Sequence, residues 1–196
     1  MSGMTLLRNT VGRFQAEFAV VAVIAVIVIG FSASGTDLLT TAALTNVFAR
    51  SVTVGLLVVG LTMCLLVGEI DLSIGATMAL GGVVFAALQP TQGLPVAVVV
   101  ALAVGLTAGL LNALLVCVLG VNSFIATLGT LFVAQSLALV LSGSEPIAPT
   151  AYEASAHLAD LLFGPVTVAF LLFVGCVLAG HVLVTRTRVG REMLAV

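Results

Sequence analysis

The longest stretch without a charged residue or a histidine runs from Leu72 to Ser144, directly after the acidic residues Glu69 and Asp71. These 73 residues would measure roughly 110 Å as one α-helix, whereas the hydrocarbon core of a bilayer is roughly 30 Å thick. Composition agrees, since 61% of residues are hydrophobic and only 7% are charged, against about a quarter in soluble domains. The sequence therefore predicts an all-α, polytopic membrane helix bundle and excludes a water-soluble domain.

Charged residues and Pro/Gly clusters divide the chain into six predicted membrane helices. Residues 1–17 are predicted to form a cytoplasmic N-terminus, residues 18–185 the transmembrane bundle, and residues 186–196 a cytoplasmic segment. The predicted helices are Phe18–Thr36, Ser51–Gly68, Leu72–Gln89, Val96–Leu119, Phe124–Leu141 and Leu161–Thr185. An alternative for the first stretch is a secretory signal with a cleavage site at Ser32–Ser34, which leaves the later crossings unchanged.

The basic residues predict the orientation of the bundle. Arg8 and Arg13 place the N-terminus in the cytoplasm, and the arginines after residue 185 place the end of the sixth helix there too. An even number of crossings is then required, which six satisfies. Arg50 alone falls in a predicted external loop.

Small residues predict where helices approach closely in the membrane. Gly105 and Gly109 form a GxxxG pair, and Gly75 and Ala79 repeat the spacing in the third predicted helix. Lipid gives apolar side chains little reason to leave it, so small residues usually mark helix contacts. We expect close packing at these positions.

Glu69 and Asp71 are costly at membrane depth, so each must lie at an interface, face a cavity or be paired. One interpretation is structural: the Asp71 carboxylate accepts backbone N–H groups around Ser73 and Ile74 and caps the next helix. The alternative is a discontinuous helix whose unwound backbone from Glu69 to Asp71 lines a transport pathway.

Other polar residues allow the same two interpretations. Asn112, within the fourth helix, predicts either an interhelical hydrogen bond or a position that lines a pore. Asn122 and Ser123 are typical of a helix N-cap, and Thr127, one turn later, is expected to bond a backbone carbonyl. The cysteines are predicted to be small buried hydrophobes, and no metal-ligand cluster or catalytic motif is found.

Four blocks of sequence, in order and spacing, closely resemble the inner-membrane permeases of bacterial sugar ABC importers of the ribose/xylose type, in the branched-chain amino acid/sugar permease superfamily. Residues 40–47 also resemble the stretch before the family's second helix. The Ile-Asp-Leu-Ser-x-Gly sequence is the most specific element, whereas many relatives have a small residue where this chain has Glu69. The blocks are Gly60–Met63, Glu69–Gly75, Asn122–Thr130 and Thr187–Arg191.

This resemblance implies a multi-pass subunit of the bacterial inner (plasma) membrane that carries a monosaccharide and has no catalytic residue, metal or cofactor of its own. Its implied partners are a second permease subunit, a cytoplasmic ABC ATPase that uses ATP, a periplasmic or lipid-anchored sugar-binding protein and the lipid bilayer, with no nucleic acid. Residues 186–196 become the start of a region that couples to the ATPase, with candidate contacts at Arg188, Gly190, Arg191 and Glu192. The candidate substrate-pathway residues are Glu69, Asp71, Ser73, Asn112, Asn122, Ser123 and Thr127.

Permeases of this type have roughly ten helices, so we expect this chain to be a truncated N-terminal part that does not support ATP-coupled uptake alone. The rival function is an ATP-independent channel or secondary carrier. A membrane-embedded enzyme would need a catalytic cluster that the sequence does not supply. The sugar, and whether the permease pair is homodimeric or heterodimeric, are left open.

Overall fold

The computed structural model describes residues 3–33, 40–147, 161–163 and 166–195, with side chains described for residues 18–33, 40–147 and 166–195. Helices form nearly all of this part of the chain. The elements are α1 (Gly3–Ala33), α2 (Thr41–Leu66), α3 (Ile74–Gln92), α4 (Leu94–Ala113) continued by a π-helical segment (Leu114–Val118), α5 (Ser123–Ser142), β1 (Leu161–Phe163), β2 (Val166–Thr167), α6 (Val168–Arg186) and α7 (Arg188–Met193).

Five of the described helices are long and apolar enough to cross a membrane: α2, α3, α4 with its π-helical segment, α5 and α6. A shorter apolar stretch, Phe18–Ala33, forms the second half of α1. Large apolar side chains are exposed along these helices, as at Val140 and Leu102, while the buried side chains are mostly small or polar. This distribution suits lipid rather than water outside the bundle, and confirms a polytopic helical membrane protein.

The chain divides into two compact units, Met1–Val47 and Phe48–Val196. The first contains α1 and the beginning of α2. The second contains the remainder of α2 and every later element. All the contacts described below lie within the second unit.

Helices α3, α4 and α5 form the most closely packed part of the second unit. α3 packs extensively against both α4 and α5, whereas α4 and α5 touch each other much less. The apolar centre consists of Leu80 from α3 with Ala134 and Ala138 from α5. The short alanine side chains let α5 approach α3 closely, and this arrangement positions the polar residues at the other end of the same helices.

The connection between α3 and α4 is shorter than the predicted turn from Pro90 to Pro95. Helix α3 continues past Pro90 to Gln92, and only Gly93 separates it from Leu94 at the start of α4. Pro90 lies in the last turn of α3, where its missing N–H costs the helix one i to i−4 hydrogen bond without ending it. Gly93 has φ +79°, a left-handed conformation that glycine adopts without a steric penalty, so one residue reverses the chain.

The small-residue pairs are not where these helices meet. A side chain added at Gly75, Gly105 or Gly109 would meet no atom within 4 Å, so among the described residues no other helix packs closely at these positions, contrary to the prediction. The nearest approach of α3 to α4 at a glycine is instead at Gly81, where an added Cβ would lie 3.6 Å from the carbonyl oxygen of Ala101.

The sixth predicted helix, Leu161–Thr185, is helical only from Val168. β1 and β2 pair antiparallel before it, and the Thr167 hydroxyl then accepts a hydrogen bond from the Phe170 N–H at 3.2 Å. A threonine at this position caps a helix because its side chain satisfies an N–H that has no partner within the helix. Apolar composition therefore placed the start of this helix too early.

Candidate functional site

Residues 67–73, between α2 and α3, are not helical, and Gly68 turns the chain with φ +77°. Their backbone is bound by side chains at the start of α5. The N–H of Ile70 donates to Ser123 Oγ at 3.4 Å, and the N–H of Leu72 donates to Thr127 Oγ1 at 3.1 Å. The backbone at Glu69–Asp71 is therefore unwound and tied to α5, and its role in lining a transport pathway stays a prediction.

Asp71 organises the start of α3. Its Oδ1 accepts hydrogen bonds from Ser73 N–H at 2.7 Å and from Ser73 Oγ at 2.6 Å. The predicted bond from Asp71 to the Ser73 N–H is thus present, and Ser73, the residue directly before the helix begins at Ile74, makes no cap bond with its own side chain. Asp71 therefore belongs to the unwound segment, and its carboxylate orders the residue that precedes α3.

A chain of hydrogen bonds extends from Asp71 across three helices. The Asn112 amide of α4 donates from Nδ2 to Ser73 Oγ at 2.9 Å, and Thr130 of α5 donates from Oγ1 to Asn112 Oδ1 at 2.6 Å. Ser73, Asn112 and Thr130 are at most 8% exposed. The bonds run in one donor direction and end at a carboxylate, which accepts hydrogen bonds when ionised. Asn112 therefore makes the predicted interhelical bonds.

The start of α5 follows the sequence prediction closely. Asn122 is its N-cap, and its Oδ1 accepts from the Phe124 N–H at 3.1 Å. The Thr127 hydroxyl lies 2.7 Å from the Ser123 carbonyl oxygen one turn earlier and 3.3 Å from the carbonyl oxygen of Ile70. Thr127 thus serves both its own helix and the α2–α3 connection.

These polar groups border a cleft of about 240 Å³ between the end of α2, the end of α4 and the start of α5. Two of the predicted pathway residues lie elsewhere: Ser73 is buried next to Asp71, and Asn122 is exposed at the helix cap. Glu69 is exposed. The predicted pathway residues that line the cleft are Glu69, Asp71, Asn112, Ser123 and Thr127.

Three residues of the site were not among the predicted pathway residues. Thr130 is one turn after Thr127 on the same face of α5, and this helical spacing is the signal that would have identified it. Cys64 and Cys117 line the cleft from helices far apart in sequence, and no local pattern brings them together. Cys117 and Cys176 are exposed, so the prediction that all three cysteines are buried is wrong. Among the described residues, no group of His, Cys, Asp and Glu is arranged to hold a metal ion.

The predicted ATPase contacts lie on α7. Thr187 Oγ1 accepts from the Gly190 N–H at 3.1 Å and caps this short helix. Gly190 is buried, and an added Cβ would overlap the backbone carbonyls of Leu183 and Val184 at the end of α6. Glycine is therefore required for α7 to fold back against α6. Arg188, Arg191 and Glu192 are exposed around it.

The residues that form this site lie within the part of the chain that matches a known protein family. The sequence model described as branched-chain amino acid transport system / permease component matches residues 43–196. The chain belongs to this permease family. The match includes α3, α4 and α5 in full, together with α7.

The chain is also similar in sequence to individual import permeases. It is 29% identical over 192 residues to the autoinducer 2 import system permease protein LsrD of Salmonella paratyphi A, covering 94% of this chain and 57% of that protein. It is 32% identical over 198 residues to LsrD of Yersinia pestis, covering 96% and 58%. The xylose/arabinose import permease protein XylH of Sulfolobus acidocaldarius is 32% identical over 146 residues, covering 70% and 40%.

The chain thus spans less than three fifths of the length of these curated relatives. No solved structure gives a significant match to it.

Proposed function

We propose that this chain is a permease subunit of an ABC importer that carries a monosaccharide across the bacterial inner membrane. Membership of the permease family and the names of its relatives, which import autoinducer 2 or xylose and arabinose, support a sugar as the substrate class. The proposed partners are a second permease subunit, a cytoplasmic ATPase that hydrolyses the ATP, and an external sugar-binding protein.

One observation carries the proposal. Two of the four sequence blocks that resemble sugar permeases, Glu69–Gly75 and Asn122–Thr130, lie about 50 residues apart and are joined by direct hydrogen bonds beside one cleft. A membrane protein retains buried polar groups at a cost, so a cluster of them beside a cavity is a default candidate for a transport site.

The chemistry of the cleft suits a small polyhydroxylated ligand. Its polar groups are the carboxylates of Glu69 and Asp71, the Asn112 amide and the hydroxyls of Ser123 and Thr127, and the rest of its lining is mostly apolar. Carboxylates accept from sugar hydroxyls, while hydroxyl and amide groups both donate and accept. Binding and release of a sugar by these groups would not involve making or breaking a covalent bond. The exposed residues of α7 are the proposed contacts with the ATPase.

Uptake of labelled pentoses and hexoses tests the proposal. The strain should lack the gene for this chain and be complemented with the gene as it occurs in its source organism. Asp71→Asn is expected to reduce the initial rate about tenfold, the effect of losing roughly 1.4 kcal/mol from charge-assisted hydrogen bonds. Glu145→Gln is the matched control, because it makes the same change in an exposed residue just beyond α5. Equal rates for both variants would remove Asp71 from the transport site.

The energy source separates this function from its rival. For an ABC importer, uptake should stop when ATP is depleted and when the binding protein is washed from spheroplasts, and the ATPase should co-purify with the chain. Flux that persists under both treatments would instead indicate a channel or a secondary carrier.

A further inference from the structure

The seam between α4 and α5 contains two cavities, one after the other. The cleft of about 240 Å³ includes Asn112 and Thr127 in its lining. A second cavity of about 340 Å³ follows along the same helices and is lined by Ala108 and Thr130 among mostly apolar neighbours. Asn112 therefore borders one cavity and Thr130 borders the other.

The hydrogen bond from Thr130 Oγ1 to Asn112 Oδ1, 2.6 Å long, crosses the seam between the two cavities. Within the described residues it is the one side-chain hydrogen bond that joins α4 to α5. Both helices pack mainly against α3, so few other contacts hold them to each other at this level. Without this bond, α4 and α5 would be held at this level by their shared packing against α3 and by the short connection at residues 119–122.

The backbone of α4 changes directly beyond this bond. Two residues after Asn112 the helix passes into the π-helical segment Leu114–Val118, in which Val116 and Cys117 border the first cavity. π-helical turns are rare and frequently occur at functional sites. The irregular turn gives α4 a place to adjust without disturbing its apolar first half.

We propose that the Asn112–Thr130 hydrogen bond is a latch between the two cavities, and that its opening joins them into one passage along the α4–α5 seam. The role of this passage in transport rests on the proposed function, whereas the latch itself does not. In the closed state the bond satisfies Asn112 Oδ1 away from water, and in the open state water takes over that role.

Thiol labelling in membrane vesicles tests the latch without substrate, ATP or a partner. One form of the full chain retains Cys117 as the reporter of the first cavity, with Cys64 and Cys176 replaced by alanine. A second form lacks all three native cysteines and carries Ala108→Cys as the reporter of the second cavity. A membrane-impermeant maleimide is added to inverted and to right-side-out vesicles in separate experiments.

Thr130→Val keeps the shape of the side chain and removes the donor. We expect this substitution to raise the labelling rate of the cysteine at position 108 roughly three- to fifteenfold, the effect of losing one interhelical hydrogen bond. The increase should occur for reagent added on the side of the membrane from which Cys117 is labelled. Thr130→Ser should restore the slow rate. Thr185→Val is the matched control, because the exposed Thr185 hydroxyl of α6 bonds to the His181 carbonyl of its own helix and Thr185 lines neither cavity.

Unchanged labelling in Thr130→Val, or an equal increase in Thr185→Val, would overturn the latch. Thr130→Ala repeats the measurement if Thr130→Val does not reach the membrane, and far-UV helicity identifies folded protein. If labelling of Thr130→Val is unchanged and the unsubstituted chain supports normal sugar uptake, the latch is rejected and the proposed function stands. If labelling increases but the unsubstituted chain supports no sugar uptake, the proposed substrate is rejected and the latch stands.

Discussion

Two regions of the second unit are held together by different forces. In the α3–α5 region, a directional chain of hydrogen bonds from Thr130 to Asp71 joins three helices. Between α2 and α6 the contacts are apolar: the Phe173 ring lies over Gly55, Met63 lies over Gly180, and Phe48 meets Phe170 edge to face at 5.3 Å between ring centroids. A groove of about 470 Å³ remains between these two helices.

The difference shows how each region resists change. Hydrogen bonds specify which side chains must face each other, so the α3–α5 region should tolerate few substitutions of its polar side chains. Cavities lie on both sides of these bonds, so added volume is less restricted there. The α2–α6 contact depends on shape, so it tolerates apolar exchange but not added volume at Gly55. Three substitutions test this contrast.

The largest effect is expected for Asn112→Leu in the polar region. The substitution removes both the bond to Ser73 and the bond from Thr130, and it leaves two buried hydroxyls without these partners. We expect a loss of about 2–3 kcal/mol in the free energy of unfolding, from about 1 kcal/mol or more for each bond. Unfolding in detergent by increasing SDS measures it. Asn46→Leu, the same change at an exposed position in α2, is the control and should have little effect.

A smaller effect is expected for Gly55→Ala in the apolar region. The new Cβ would lie 2.5 Å from the Phe173 ring, so the ring must move. We expect a loss of about 1–2 kcal/mol from overpacking, in the same unfolding assay. Adding Phe173→Leu should recover part of this loss, because it removes the opposing ring. If the double variant is less stable than both single variants, shape does not govern this contact. Gly175→Ala, on α6 with no atom within 4 Å of the added Cβ, is the control.

The smallest effect is expected for Gly105→Ala. This glycine belongs to the GxxxG pair, yet the described structure has no atom within 4 Å of an added Cβ. Alanine favours helix by up to about 1 kcal/mol over glycine, so stability should stay the same or rise slightly. A clear loss of stability in the membrane, absent in detergent, would show that another helix packs against this face.

Much of the site was predictable because its signals are local. Asn122 was expected to cap α5 and Thr127 to bond a carbonyl, and both interactions are present. Such interactions join residues two to four positions apart, where the geometry of the helix alone determines which groups are within hydrogen-bond distance. The same reasoning failed at Pro90, because a proline in the last turn does not end the helix there, and at Leu161, because apolar residues also form strands.

The roles of Glu69, Asp71 and the α7 residues in transport stay predictions. Sequence resemblance selected them, and the structure adds their surroundings: an exposed Glu69, an Asp71 bonded to Ser73, and a Gly190 pressed against α6.

The sequence by itself determined that this protein is a polytopic helical membrane protein of the permease family, because hydrophobic length and motif order are properties of the chain alone. It also determined the helix cap at Asn122, which depends on neighbours in sequence. Only the tertiary structure decided that Asn112 meets Thr130 and Ser73, that Cys64 and Cys117 share a cleft, and that the GxxxG face is open. These outcomes depend on the rotation and separation of whole helices, which are set by packing across many residues and leave no local pattern.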